Sequence, residues 1–150
     1  MTASFDRHGI AFQYPANWRV SDERVTSRVH CVTLQSPGSG FWMLQVVPRG
    51  EAIDGLVDQI IRSVQQEYEE VEMLRVEELI GATPATGFDL HFFCLDLLVC
   101  AQIRSFVLPG KTCVLLCQAE DHEFDRIAPV FLAITVSLIR EATGRIDPSD

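Results

Sequence analysis

The sequence predicts a single α+β domain, an antiparallel sheet of about six or seven strands with two principal helices packed against it. Three observations carry this. The stretch from Gly87 to Ala119, GFDLHFFCLDLLVCAQIRSFVLPGKTCVLLCQA, is dense in Phe, Leu and Val and holds four of the five cysteines. Its only charged residues are Asp89, Asp96, Arg104 and Lys111, so it reads as three consecutive antiparallel strands. Two other segments, one before it and one after it, repeat apolar residues at helical spacing, and a set of shorter strand patterns opens the chain.

The elements follow in order. Gly9–Pro15 alternates, with Ile10, Phe12 and Tyr14 on one face and Ala11 and Gln13 on the other, and Pro15 ends the strand. Asn17–Val20 carries Trp18, a core aromatic where the chain turns. Thr26–Gln35 and Phe41–Val47 are strands, joined by Ser36-Pro37-Gly38-Ser39-Gly40, whose Pro and Gly supply hairpin geometry. After Pro48–Gly50 the period changes: Ile53, Leu56, Val57, Ile60, Ile61, Val64 and Tyr68 form one apolar helix stripe, with Asp54, Asp58, Arg62 and Gln66 on the other side. Val71–Ile80 returns to strand character and is heavily acidic, which suits an exposed edge. Gly81–Gly87 is a loop by composition. The three-stranded run then turns at Leu95–Leu98 and again at Leu108-Pro109-Gly110-Lys111.

Asp121–Arg140 is the closing helix, with Asp121 as its N-cap and Phe124, Ile127, Phe131, Ile134 and Leu138 along one face. Pro129 predicts a kink, or a short first turn with the true start at Pro129, because an interior proline costs about 3 kcal/mol. Residues 1–150 form one domain, with 143–150 as a polar, frayed tail. There is no internal repeat.

Composition limits the function classes. A chain of 150 residues can bury roughly 70% of its unfolded surface. Asp plus Glu number 21 against 12 Lys plus Arg, a net charge of -9 that repels phosphate backbones and anionic lipid heads. Neither nucleic acid nor a membrane is therefore expected as a partner. Met1–His8 lacks the basic and apolar regions of a secretory signal, so the expected location is the cytoplasm. The charge-free run Ile127–Ile139 is shorter than the ~20 residues of a membrane span, which makes it a core helix. An odd cysteine count in a cytoplasmic chain argues against a disulfide framework. Cys113 and Cys117 share a strand face but lie ~13 Å apart, too far for a bridge or a shared metal.

The element order, together with residues at both ends, resembles the Mog1/PsbP-like fold and its bacterial DcrB-like members. The carrying residues are Gly9-Ile10-Ala11-Phe12-Gln13-Tyr14-Pro15 followed by Trp18, and at the other end Phe124, Pro129, Phe131, Ile134 and Ser137-Leu138. The resemblance implies an α/β/α sandwich with helices on both sides of an antiparallel sheet. It also implies a binding or assembly module, since members of this fold are mostly non-catalytic: a photosystem II extrinsic subunit, a Ran-binding protein, lipoproteins and chaperones for secreted effectors. The chain has no counterpart of the Ran-binding acidic motif, no lipoprotein cysteine near its start and no transit peptide, so the resemblance names no partner.

Candidate chemistry is sparse. Gly110-Lys111-Thr112 has Ser105 where a phosphate-binding loop needs its first glycine, and a strand follows it, so it is a hairpin turn. Glu120-Asp121-His122-Glu123 with Asp125 clusters metal-type ligands, but acids at a helix start are favourable without a metal. His91 and Cys94 point to opposite strand faces, as do His30 and Cys31. Gly-x-Ser-x-Gly, Gly-x-Gly-x-x-Gly and His-Glu-x-x-His are absent. No enzyme activity, metal or cofactor is expected. The expected function is a non-catalytic protein-binding or assembly module with an unidentified protein partner. Nothing points to a homodimer; the acidic strand would repel a second copy, so any dimer would form elsewhere. The alternative is a small-ligand carrier with a pocket between sheet and helix, lined by Trp18, Trp42, Phe92 and Arg104, with Arg104 as the anchor for an anion.

Overall fold

The computed structural model describes residues 1–26, 28–50 and 53–144. The chain opens with a hairpin of β1 (Thr2–Arg7) and β2 (Ile10–Pro15), turned by His8 and Gly9 at φ 57° and 76°. Both central residues of a tight two-residue hairpin take positive φ, because that twist matches the flanking strands. β1 was not expected, since in TASFDR only Phe5 is buried and no alternation announces a strand. The segment around Trp18 leads into a second unexpected strand, β3 (Arg19–Arg24), whose sequence RVSDER lies almost wholly at the surface.

β4 (His30–Gln35) and β5 (Phe41–Pro48) form the expected hairpin. The first of them begins later than its composition suggested, because Thr26 is spent on a turn: its hydroxyl accepts the N–H groups of Arg28 and Val29. The helix α1 (Asp54–Glu67) buries Val57, Ile61 and Val64 from the expected stripe. There follow β6 (Glu72–Ile80), β7 (Thr83–Cys94), β8 (Leu97–Leu108), β9 (Lys111–Glu120) and α2 (Asp121–Gly144).

β7 claims most of the stretch assigned to a loop. Pro84 is tolerated because the ladder to β8 begins only at Thr86, leaving β6 as its one neighbour there. The turn placed at Leu95–Leu98 is tighter: Leu95 and Asp96 alone make it, at φ 50° and 70°. α2 runs through Pro129 rather than starting at it. Its first turn is capped from Glu120, not from Asp121, since the Glu120 carboxylate accepts the N–H groups of His122 and Glu123. Thr143 and Gly144 belong to α2, and the rest of the tail lies outside the described residues. At 24 residues α2 is long and apolar enough, by length and composition, to cross a membrane, which its charge-free run alone did not suggest. Here it buries Phe131, Ile134 and Leu138 against the sheet.

Seven strands form one antiparallel sheet in the order β3-β4-β5-β9-β8-β7-β6, and β1 and β2 form a separate two-stranded ribbon. Strand alternation then sorts the core into two layers. On one side Trp42, Leu44, Cys113, Leu115 and Cys117 meet α2 and the ribbon residues Phe5, Ile10 and Phe12. On the other, Leu90, Phe92, Ile103, Val114 and Leu116 meet α1. β9 is central and covered on both faces, which is why Cys113–Cys117 is an unbroken apolar run.

Candidate functional site

The four residues expected to line one pocket do not share one. Trp42 pairs with Cys117 and Cys117 with Gln102, so these side chains project toward α2. Phe92 pairs with Val99 and projects toward α1, on the opposite face of the sheet, where its ring stacks on Tyr68 at 4.4 Å between centroids. Trp42 is fully buried and donates its Nε1–H to Thr135 Oγ1 at 3.0 Å. Trp18 packs edge-on against Phe131 at 5.8 Å. All three aromatics serve as core.

Arg104 lies on the α2 side and is only 5% exposed. Its Nε–H donates to Glu78 Oε1 at 2.7 Å and its Nη2–H to Asp89 Oδ1 at 2.8 Å, while Nη1 donates to the carbonyls of Ile103 and Phe88. Burial pulls the guanidinium pKa down, but the hydrogen bonds to Glu78 and Asp89 outweigh it and leave the group above its ordinary value. With two carboxylates already in place, Arg104 is engaged as a structural cation and is not presented to an anion. Beside it is a void of about 70 Å³. Gly87 stands opposite Arg104 in the ladder, where the Ile103 carbonyl and the Arg104 Cα leave no room for a Cβ.

Four of the five cysteines, all but Cys94, are equally committed to packing. Burial pushes the Cys100 thiol up to about 12, helped by its hydrogen bond to Asp121 Oδ1 at 3.2 Å and by neighbouring acids. Burial alone takes Cys113 to about 12 and raises Cys117 further, so these thiols stay protonated at neutral pH. The acids at the start of α2 are likewise occupied. Glu120 caps the helix and accepts from His122 Nδ1, an interaction that raises the imidazole pKa. Glu123 accepts from the hydroxyls of Ser36 and Ser39 and from the Ser39 N–H, which fastens the β4–β5 turn to α2.

What remains is surface. β6 is an edge of the sheet, as its acidity suggested, and seven of its nine residues are exposed, all but the half-buried Val76 and the buried Ile80.

 Leu74 and Leu79 are 66% and 68% exposed, among Glu72, Glu77 and Glu78. The turn between β7 and β8 adds Phe93, Leu95 and Leu97, with Leu95 90% exposed at its tip. Sequence reasoning found the acidic edge but missed this apolar tip, because Phe and Leu in a strand pattern read as core. A second feature is an apolar cleft of about 300 Å³ between β2 and α2, lined by Tyr14, Pro15, Pro129, Ala133 and Ile134 among others.

No family model and no curated protein matches the sequence. Solved structures do match. Cyanobacterial PsbP (CyanoP) from Synechocystis superposes with a TM-score of 0.58 at 13% identity, over 91% of this chain and 89% of that one. LpqN of Mycobacterium tuberculosis, described as involved in cell envelope biogenesis, gives 0.51 at 13% identity, over 89% and 87%. The chain has the Mog1/PsbP-like fold. PA94 of Pseudomonas aeruginosa, a protein of unknown function described as a putative regulator, gives 0.50 at 10% identity, over 92% and 96%. Identities this low establish the Mog1/PsbP-like architecture alone.

Proposed function

We propose that this Mog1/PsbP-like chain is a non-catalytic protein-binding module of the cytoplasm, and that β6 is its docking edge. The observation that carries the reading is the open β6 edge, nine residues long, with Leu74 and Leu79 exposed and acids between and beside them. An edge strand offers unpaired backbone groups to an added strand, while alternate side chains set specificity. The acids select a basic or neutral extended segment and disfavour a second copy of β6, which would bring Glu against Glu. The net charge of -9 also favours a protein partner over nucleic acid or an anionic membrane.

The test is capture of partners from the host lysate by the full chain and by a Leu74→Lys/Leu79→Lys variant. One protein enriched by the first and lost by the second is the expected result. Equal enrichment by both removes β6 from the interface.

The apolar cleft between β2 and α2 favours one second reading, a small-ligand carrier, because its volume is at the lower end of ligand pockets. Native mass spectrometry of the gently purified protein separates the two. A retained mass of a few hundred daltons supports the carrier, and one of protein size supports the module.

A further inference from the structure

Three side chains from separate strands and turns meet at the end of the sheet opposite β6. His8 occupies the β1–β2 turn, Asp22 lies on β3 and His30 begins β4. One donor atom from each lies within 4.8 Å of the other two. His8 Nε2 is 2.7 Å from Asp22 Oδ2, and the two imidazole rings stack with centroids 3.8 Å apart. Two further polar atoms of the cluster, Asp22 Oδ1 and His30 Nδ1, are shielded from solvent and have no hydrogen-bond partner among the described residues. A buried carboxylate oxygen and a buried imidazole nitrogen are ordinarily paired, so each needs an account.

We infer that His8, Asp22 and His30 form a binding site for a divalent transition-metal ion of the zinc type. Two imidazoles and a carboxylate suit that class of metal, and they do not suit Mg²⁺ or Ca²⁺, which take oxygen ligands. Three protein ligands leave a fourth position of a tetrahedron for water or a partner's side chain. Zinc bonds of ~2.0–2.1 Å would space ligand atoms by roughly 3.3 Å, so His8 and Asp22 need to part by only about 0.6 Å from their present hydrogen bond. The ion would supply the missing partner for a shielded donor of the cluster. The His8 side chain is 32% exposed, which gives an ion access.

Arg7 is the competing cation. Its Nη1 lies 3.6 Å from Asp22 Oδ2, a long contact, and its side chain is 62% exposed with the guanidinium over the Phe5 ring. A bound ion would tie the β1–β2 ribbon to the β3–β4 edge of the main sheet. The cluster was not legible beforehand, because its members are spaced 14 and 8 residues apart and β3 was not anticipated.

The test is calorimetric titration of ZnCl₂ into the full-length, reduced protein, with melting temperature followed in parallel. The expected result is one equivalent bound and a raised melting temperature. Affinity should fall in His8→Asn and in Asp22→Asn by more than the roughly 10–100-fold typical of losing an outer-sphere partner, and should be unchanged in His122→Asn. Asparagine accepts the positive φ of position 8, so His8→Asn should keep the wild-type fold, read as an unchanged circular dichroism spectrum, while giving up the hydrogen bond to Asp22 and the stack on His30. Imidazole NMR of the unaltered protein gives a reading independent of variants: zinc should shift the ring signals of His8 and His30 and leave those of His91 and His122 in place. Absence of saturable binding, full affinity in both ligand variants, or shifts confined to His91 and His122 would overturn the assignment.

Discussion

Replacing Arg104 by methionine separates a structural cation from a ligand anchor. The substitution keeps most of the apolar stem and deletes the guanidinium. It leaves Glu78 and Asp89 without their shared donor and removes hydrogen bonds to the carbonyls of Ile103 and Phe88. Removing one partner of a fully buried ion pair costs about 3–5 kcal/mol. The two acids are 42% and 26% exposed at the side chain, so water can rehydrate them and the penalty shrinks. We expect a loss of about 2–4 kcal/mol, which for a domain of this size lowers the melting temperature by roughly 5–15 °C. Urea unfolding followed by fluorescence of Trp18 and Trp42, both in the same core layer, reads the change directly. An arginine held in readiness for an anion would behave in the opposite way, because removing it would leave stability unchanged or improved. A loss below about 1 kcal/mol would therefore refute the structural role.

Three further predictions concern other parts of the fold. Gly87→Ala should destabilise by several kcal/mol, since its Cβ would meet the β8 backbone, and a melting temperature equal to wild type would show that the strands can part there. Iodoacetamide applied to the native protein should modify Cys94 first and spare Cys31, Cys100, Cys113 and Cys117, all of them buried; mass spectrometry reads the sites, and rapid labelling of Cys113 or Cys117 would contradict their burial. Burial raises the Glu123 pKa, but the donors of Ser39 and Ser36 outweigh it and hold the carboxyl below its ordinary value. Its contribution is therefore full above the unfolded carboxylate pKa of about 4.3 and is lost as pH falls through the lower folded value. Glu123→Gln should cost stability at neutral pH and converge with wild type in acid, so a pH-independent difference in melting temperature would exclude the ionic contribution.

The elements legible in the sequence were those whose burial imposes a period. α1 announced itself through Val57, Ile61 and Val64, and the β7–β9 run through its apolar density. β1 and β3 were missed because neither faces a core over its length. β1 buries Phe5 alone, and β3 is an edge held by pairing to β4 rather than by apolar contacts. Pro84 misled for a related reason: proline excludes a strand only where a neighbouring strand needs the N–H it lacks, and at Pro84 β8 does not pair with β7. The pocket prediction failed on parity. Trp42 and Phe92 are both strand aromatics, but which face each takes depends on a register that only the assembled sheet sets.

That same parity limits where a partner can bind. α1 and α2 cover the two faces of the sheet, and β9 at its centre is buried on both sides, so the sheet's interior positions are committed to packing. The free backbone lies at β3 and β6, and the two edges differ chemically. β6 presents leucines among acids, a surface suited to an extended protein segment. β3 carries Asp22, which faces two histidines, and Asp22 Oδ1 and His30 Nδ1 are shielded and without a partner among the described residues. If both assignments hold, one end of the sheet recognises a chain and the other holds an ion. The distance between them, six inter-strand gaps of ~4.8 Å each, rules out direct contact between the two ligands. Zinc should then leave the affinity of β6 for a bound segment unchanged unless the ion alters the sheet as a whole, and measuring that affinity with and without zinc decides whether the two edges act independently.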